Sequence, residues 1–198
     1  DTHPTYGAVW YPTSVAVGWA PYRYGRWTYD GSWGWTWVDD APWGFAPFHY
    51  GRWVSYGGRW GWCPGQYVAR PVYAPALVAW FGGPNVSVGI SVGGGPAVGW
   101  VPLAPREYYY PSYQVTNIYV RNVNVTHQPW LPKYPPRTVP TGPIMYTNQG
   151  VAGGVTVVSK DVLRNRQPIS SSVIVPVDPR TVSSWQQAGQ HVVQQQQG

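Results

Sequence analysis

The sequence predicts an all-β fold of repeated hairpins, forming a meander sheet or a small barrel, with an extended Pro-rich C-terminal arm. Three observations carry this reading. An aromatic octapeptide, Ala20-Pro21-Tyr22-Arg23-Tyr24-Gly25-Arg26-Trp27, returns 26 residues later as Ala46-Pro47-Phe48-His49-Tyr50-Gly51-Arg52-Trp53, and a fixed internal period marks a repeated structural unit. The 198 residues include four Leu, five Ile and one Met against 14 Trp and 16 Tyr, a stock that suits sheets and excludes a helical bundle. Gly and Pro together supply 46 residues, enough to punctuate the chain into short strands, while the abundance of rings argues against simple disorder.

The elements follow in order. Downstream of each octapeptide, Trp33-Gly34-Trp35 recurs as Trp60-Gly61-Trp62 at a spacing of 27. The extra residue falls where the copies carry Asp30-Gly31 and Gly57-Gly58, dipeptides that suit tight hairpin turns because they tolerate positive φ. Each copy therefore reads as a hairpin, 22–29 with 32–38 and 48–56 with 59–63. A third echo, Gly99-Trp100-Val101-Pro102, matches Gly18-Trp19-Ala20-Pro21 and Gly44-Phe45-Ala46-Pro47. Residues 72–81 and 86–92 are β-branched or aromatic runs separated by Gly82-Gly83-Pro84-Asn85, and Gly93-Gly94-Gly95-Pro96 turns the chain again. Residues 1–110 thus form an aromatic β-repeat domain.

From 111 the texture changes to a Pro- and Asn-rich arm reaching 165, with a short strand candidate at 115–125 and another at 155–158. Ser159 is placed to cap a brief helix over 160–165 with Asp161 in its first turn, the one helix the sequence predicts. Residues 166–198 form a polar tail whose last 13 residues hold seven Gln, a composition that buries too little apolar surface to order itself.

The net charge is +6 from 13 basic and seven acidic residues. The first 110 residues hold six Arg against five acids and the remainder seven cations against two, so the basic excess lies in the arm and tail. That distribution argues against a nucleic-acid groove, whose affinity rests on phosphate neutralisation. No apolar run approaches the roughly 18–20 residues of a membrane helix. A start at Asp1-Thr2-His3 without Met reads as a processed or trimmed product from which any signal peptide has gone. With one Cys, few Lys and many rings, the composition fits an exported bacterial protein, periplasmic, cell-surface or extracellular.

The run Trp33-Gly34-Trp35-Thr36-Trp37-Val38-Asp39-Asp40-Ala41-Pro42-Trp43-Gly44-Phe45-Ala46-Pro47-Phe48-His49-Tyr50-Gly51-Arg52-Trp53 resembles an uncharacterised family of exported Trp/Tyr-rich bacterial proteins, some of which carry FecR-like segments. Arg70-Pro71-Val72-Tyr73, Gly99-Trp100-Val101-Pro102-Leu103 with Pro105-Arg106-Glu107, and Gly154-Val155-Thr156-Val157-Val158 look like the same family, so the resemblance spans about residues 6–165. It implies export and residence in the envelope or outside the cell, and it implies no activity. A looser likeness is to aromatic cell-wall-binding repeats that hold choline or glucan.

Alternate aromatics at Trp33–Trp37 and Trp60–Trp62 fall on one strand face. Such a stripe serves either as core or as a platform for sugar rings. Twelve Trp and twelve Tyr in residues 1–110 are more than a small sheet domain is expected to bury with every indole and phenol satisfied, so part of the ring surface should meet another molecule. The recognition surface expected from the repeats is Tyr22, Tyr24, Arg26 and Trp27 with their copies Phe48, Tyr50, Arg52 and Trp53.

Catalytic, metal and cofactor signals are absent from the sequence. Asp39-Asp40 is an adjacent carboxylate pair, but neighbouring strand residues point to opposite faces, and Asp40 before Ala41-Pro42 fits a turn acceptor. Glu107 should pair with an Arg. His49 takes the repeat position of Arg23 and reads as a stacking residue. Cys63 reads as buried. The four His share no metal spacing with Cys63 or the acids. The function expected is therefore non-enzymatic: an exported binding or structural protein contacting a glycan, a cell-wall polymer or a protein through aromatic faces. The alternatives are a self-assembling subunit of a fibre or matrix, or a hydrolase if Asp39 or Asp40 and Glu107 face one cleft.

Overall fold

A computed structural model describes residues 1–81, 96–140, 144–178 and 180. The strand expected at 86–92 and the Gln-rich end of the tail lie outside the described residues.

A short ladder of β1 (Thr2–His3) and β2 (Gly7–Ala8) precedes the first repeat. The repeats are antiparallel hairpins: β3 (Gly25–Asp30) with β4 (Gly34–Asp39), then, after the single turn α1 (Ala46–His49), β5 (Arg52–Tyr56) with β6 (Arg59–Cys63). Strands β7 (Val78–Phe81), β8 (Ala97–Pro102) and β9 (Thr156–Ser159) form a three-stranded antiparallel sheet in that order. Helix α2 (Asn117–Asn124), a 3-10 turn at Thr147–Gly150 and helix α3 (Lys160–Arg164) complete the described elements.

The fold is all-β in character, built of hairpins, but the hairpins join neither into one meander nor into a closed barrel. They remain separate small sheets because irregular segments occupy their outer edges. Trp37 N–H donates to the Pro75 carbonyl and Trp53 N–H to that of Leu103, both at 3.0 Å. Trp10 and Trp62 exchange two bonds of 2.8 Å, and Gly25 and Ile169 bridge in the same way. An edge whose polar groups are taken by such a segment cannot accept another strand.

The two hairpins turn differently, and the shorter turn lies in the second copy; the register sets Trp35 opposite Tyr29 and Trp60 opposite Ser55, so the 27-residue motif spacing does not follow the structural repeat. Gly57 and Gly58 both have positive φ, 57° and 74°, the pairing a two-residue hairpin loop requires. In the first copy the positive φ falls on Gly34, at 72°, one residue past a longer loop in which the Asp30 carboxylate accepts from the N–H groups of Ser32 and Trp33.

Each larger hairpin sets two indoles directly opposite: Trp27 and Trp37, Trp53 and Trp62, Trp80 and Trp100. Trp27 meets Trp37 edge to face at 5.2 Å and Trp100 at 5.4 Å, the geometry the ring quadrupole favours. The main core gathers Trp27, Trp35, Trp37, Trp53, Trp60 and Trp100 with Tyr22 and Phe48. Four indole N–H groups find acceptors: Trp37 the Asp39 carboxylate, Trp53 the Pro47 carbonyl, Trp62 that of Tyr50 and Trp100 that of Tyr22. Those of Trp27 and Trp35 find none among the described residues.

The arm departs from expectation in one element and matches it in another. Residues 115–125 hold a helix, not a strand. Thr116 Oγ1 accepts from Tyr119 N–H at 3.2 Å as an N-cap, and Val120, Val123 and Asn124 are buried at helical spacing. Downstream, β9 and α3 lie where the sequence placed them, with Ser159 Oγ accepting from Asp161 N–H at 3.2 Å. The start of the tail packs on this domain: Ile169 is buried and bridges Gly25, and Val175 N–H donates to Val157 at 2.8 Å.

Tyr22→Phe tests the joint between the repeats. The Tyr22 hydroxyl donates to the Phe48 carbonyl at 2.7 Å and accepts from Leu77 N–H at 3.1 Å. Its removal orphans a buried N–H, so a loss of about 1–3 kcal/mol is expected in urea unfolding of the variant.

Candidate functional site

Of the eight side chains expected to form a recognition surface, five are core. Tyr22, Trp27, Phe48, Arg52 and Trp53 are buried, Tyr24 and Tyr50 are half-buried, and Arg26 is exposed. The reason is the repeat itself. The two octapeptides pack on each other, Tyr22 meeting Phe48 edge to face at 4.9 Å, so the repeated residues form an internal seam.

Arg52 shows how far the copies diverge. Arg26 reaches solvent, whereas Arg52 is enclosed, donating to the carbonyls of Gly51 at 2.9 Å and Glu107 at 3.2 Å and to Asn124 Oδ1 at 3.2 Å. Burial lowers its pKa to about 10, opposed by the nearby Glu107 charge. Asn124 completes the joint, its Nδ2 donating to Tyr109 and Val120 and its Oδ1 accepting from Tyr109 N–H. Helix α2 is thereby anchored beside the second hairpin.

A cleft of about 740 Å³ opens between that hairpin, the loop 64–72 and α2. Its aromatic wall is Phe45, Tyr50, Trp62 and Tyr67, and its polar groups are the amides of Gln66 and Asn122 and the hydroxyl of Thr126. Tyr67 is 92% exposed and Phe45 64%, so these rings present faces that the core does not use. Trp62 is fixed by its bond to the Tyr50 carbonyl, 2.8 Å, and packs against Gly51, where a Cβ would come within 2.5 Å of the indole nitrogen. Gln66 N–H donates to the Thr126 carbonyl at 2.8 Å, tying the loop to the end of α2. At Gly65, φ 83°, a Cβ would meet that same carbonyl at 2.5 Å. Glycine is therefore required at both positions.

Of the expected residues only Tyr50 lines this cleft. Trp62 belongs to the aromatic stripe that the sequence offered as core or sugar platform, while Phe45, Gln66, Tyr67, Asn122 and Thr126 were not singled out as site residues. The one sequence signal for Tyr67 is a ring in a Pro- and Gly-bounded loop without strand alternation, where no sheet face is available to cover it.

The carboxylates and histidines play structural parts. Asp39, and not Asp40, is the turn acceptor, with Oδ1 on Ala41 N–H and Oδ2 on Trp37 Nε1, both at 2.9 Å. Burial raises its pKa to about 6. Glu107 does not ion-pair with an Arg among the described residues. Its carboxylate accepts from Ala104 N–H at 2.7 Å and Thr147 N–H at 2.6 Å. Neither Asp39, Asp40 nor Glu107 lines the aromatic cleft. His49 donates Nδ1–H to the Ala74 carbonyl at 2.8 Å and stacks on Tyr73 at 4.8 Å. Cys63 is buried, with its thiol pushed up to about 12 by desolvation. Among the described residues no three His, Cys, Asp or Glu side chains are grouped to hold a metal ion. No helix there is long and apolar enough to cross a membrane.

With this geometry in place, the comparison with protein families is specific. A family of unknown function, DUF6600, matches residues 1–107. The chain belongs to this family. The matched segment contains both repeats, Phe45, Trp62 and the loop 64–72, while α2, which closes the cleft, lies beyond it. No curated protein and no solved structure matches the chain significantly.

His127, at the base of the loop, supplies a pH test. Burial, aided by the Arg52 charge, lowers its pKa to about 2, against about 6.5 in an unfolded chain. A depressed folded pKa contributes stability that is present above 6.5 and lost as pH falls below it. Between about pH 6 and 4 this group should remove up to about 1.4 kcal/mol per pH unit. Urea unfolding across that range should give a steeper decline for the native chain than for His127→Gln.

Proposed function

We propose that this chain is a non-enzymatic, exported glycan-binding protein, and that a sugar polymer lies in the cleft walled by Phe45, Tyr50, Trp62 and Tyr67. The observation that carries the reading is the pairing of exposed ring faces with amides and a hydroxyl in one cavity. A pyranose ring has an apolar face of C–H groups and an equatorial rim of hydroxyls. The aromatic wall suits the first, and Gln66, Asn122 and Thr126 suit the second.

The size, about 740 Å³, falls within the range of sites that enclose small-molecule ligands. Stacking on a well-placed ring contributes about 1 kcal/mol. The indole of Trp62 is already held by its bond to Tyr50, so ordering it on binding costs little further entropy. Of the acids named for a hydrolase, Asp39 is engaged with Trp37 and Ala41 and Glu107 with Ala104 and Thr147, and Asp40 does not line this cleft. A residence outside the cytoplasm fits the family resemblance and the composition.

Titration with soluble glucan, chitin and peptidoglycan fragments, followed by tryptophan fluorescence, tests the assignment. At least one should bind, and Tyr67→Ala should weaken it by about tenfold, equivalent to about 1.4 kcal/mol, without changing Tm. Tyr56→Ala, at the exposed tip of the second hairpin, should leave binding intact. Concentration-dependent polymers in sedimentation velocity, without affinity for any of these fragments, would favour the self-assembling alternative.

A further inference from the structure

Two smaller clefts adjoin the aromatic one and share its walls. One, about 420 Å³, is lined by Trp62 and Pro64 together with Tyr11, Arg59 and Asp1. The other, about 320 Å³, shares Gly65, Gln66 and Thr126 and adds Arg106 and Trp130. A polymer longer than the central cleft would pass over the strip 62–66 into these neighbours, and each holds an exposed arginine. Arg59 lies over the Tyr11 ring at 4.4 Å, which leaves its guanidinium edge available. Asp1 is the one acid lining any of the three clefts.

Arg106 is the more telling residue. It occupies the third position of the turn Ala104-Pro105-Arg106-Glu107, closed by Glu107 N–H on the Ala104 carbonyl at 3.1 Å, with φ 70°. Pro followed by a residue of positive φ is a type II turn, whose third position favours Gly. An arginine there carries a conformational cost that glycine would remove. The two other non-glycine residues of positive φ have local reasons. Tyr22 is locked in the core by its hydroxyl, and Arg166 follows α3 as a helix-ending residue, donating N–H to Leu163. The backbone of Arg106 is held by the turn, but its side chain has no such anchor. Its guanidinium makes a 3.5 Å contact with the Thr5 carbonyl and no ion pair among the described residues, and Trp130 beside it is 74% exposed.

We infer that the bound polymer is an acidic glycan, one bearing ring carboxylates, with Arg106 receiving a carboxylate while Trp130 offers a stacking face. This deepens the glycan reading and rests on it. Arg is suited to the task because its planar fork meets a carboxylate in two parallel bonds.

The test compares hexagalacturonate with its fully methyl-esterified form, the same sugar without charge, by calorimetry on the full chain. The acid should bind about tenfold more tightly at low salt, and the difference should shrink as salt rises. Arg106→Gly should lose about tenfold of the affinity for the acid, keep that for the ester, and unfold at the same or a higher temperature. Arg166→Gly removes the same charge and likewise puts glycine at a position of positive φ, far from the clefts, and should leave both affinities unchanged. Equal affinity for acid and ester would overturn this inference while leaving the glycan reading intact. Binding of neither oligomer would overturn this inference, while the glycan reading falls only if the glucan, chitin and peptidoglycan fragments fail to bind as well. Equal losses in Arg106→Gly and Arg166→Gly would reduce the effect to general attraction between a basic protein and a polyanion, and would also overturn it.

Discussion

The Tyr22 residue joins three parts of the molecule through one side chain and its own carbonyl. The hydroxyl donates to Phe48 in the second repeat and accepts from Leu77 at the entrance to the three-stranded sheet, while the carbonyl accepts the Trp100 indole from the centre of that sheet. A core made of rings depends on such joints. Indoles and phenols contribute large apolar area, but each brings a polar group that costs free energy if left without a partner in the interior. Here the acceptors are mainly backbone carbonyls at turns, those of Pro47, Tyr50 and Tyr22. The irregular, Pro-punctuated connections are thus part of the core, and they explain why the hairpins stay separate.

The same demand separates what the sequence made legible from what it hid. Hairpins were legible because repetition, aromatic alternation and paired Gly agree, and β5–β6 spans 52–63 against an expected 48–63. The strand at 156–159 and the Ser159 cap were legible from local chemistry alone. Helix α2 was hidden by its β-branched composition. What makes it helical is tertiary, the burial of Asn124 against Arg52 and Tyr109, and sequence periodicity carries no trace of a partner 72 residues away. The surplus of rings was legible as a quantity but not as a place. Repetition was read as a surface motif, whereas repeated residues with mutual complementarity pack on each other first. The most exposed of the rings left over, Tyr67, Trp130 and Tyr134, lie outside the repeats, and Phe45 joins them from the entry to the second copy.

Divergence between the copies turns one hairpin into a scaffold for the cleft. Arg26 reaches solvent on β3, and its counterpart Arg52 draws Asn124 and the 104–107 turn around it. A buried cation of this kind is held by several acceptors or not at all. Replacing it would remove one of the two donors to Asn124 Oδ1 and the guanidinium donors to the Gly51 and Glu107 carbonyls, so the cost would fall on the packing of α2 and hence on the cleft wall formed by Asn122 and Val123. The second repeat therefore walls the aromatic cleft, which the first does not, through one burial event far from the exposed rings.

The turn that presents Arg106 shows how such a position is kept. A left-handed arginine persists only where its surroundings over-determine it. Arg52 Nε donates to the Glu107 carbonyl, Glu107 Oε2 accepts Ala104 N–H, Glu107 N–H closes the turn onto Ala104, and Gln128 Nε2 donates to the Arg106 carbonyl at 2.7 Å. The single Glu of the chain is thus spent inside the turn, its negative charge buried and its pKa raised by desolvation. That arrangement keeps the one nearby acid from neutralising Arg106 from within. A turn held by the backbone alone would have let the residue relax. The network holds the backbone of the turn in place, so Arg106 is kept at the wall of the smaller cleft.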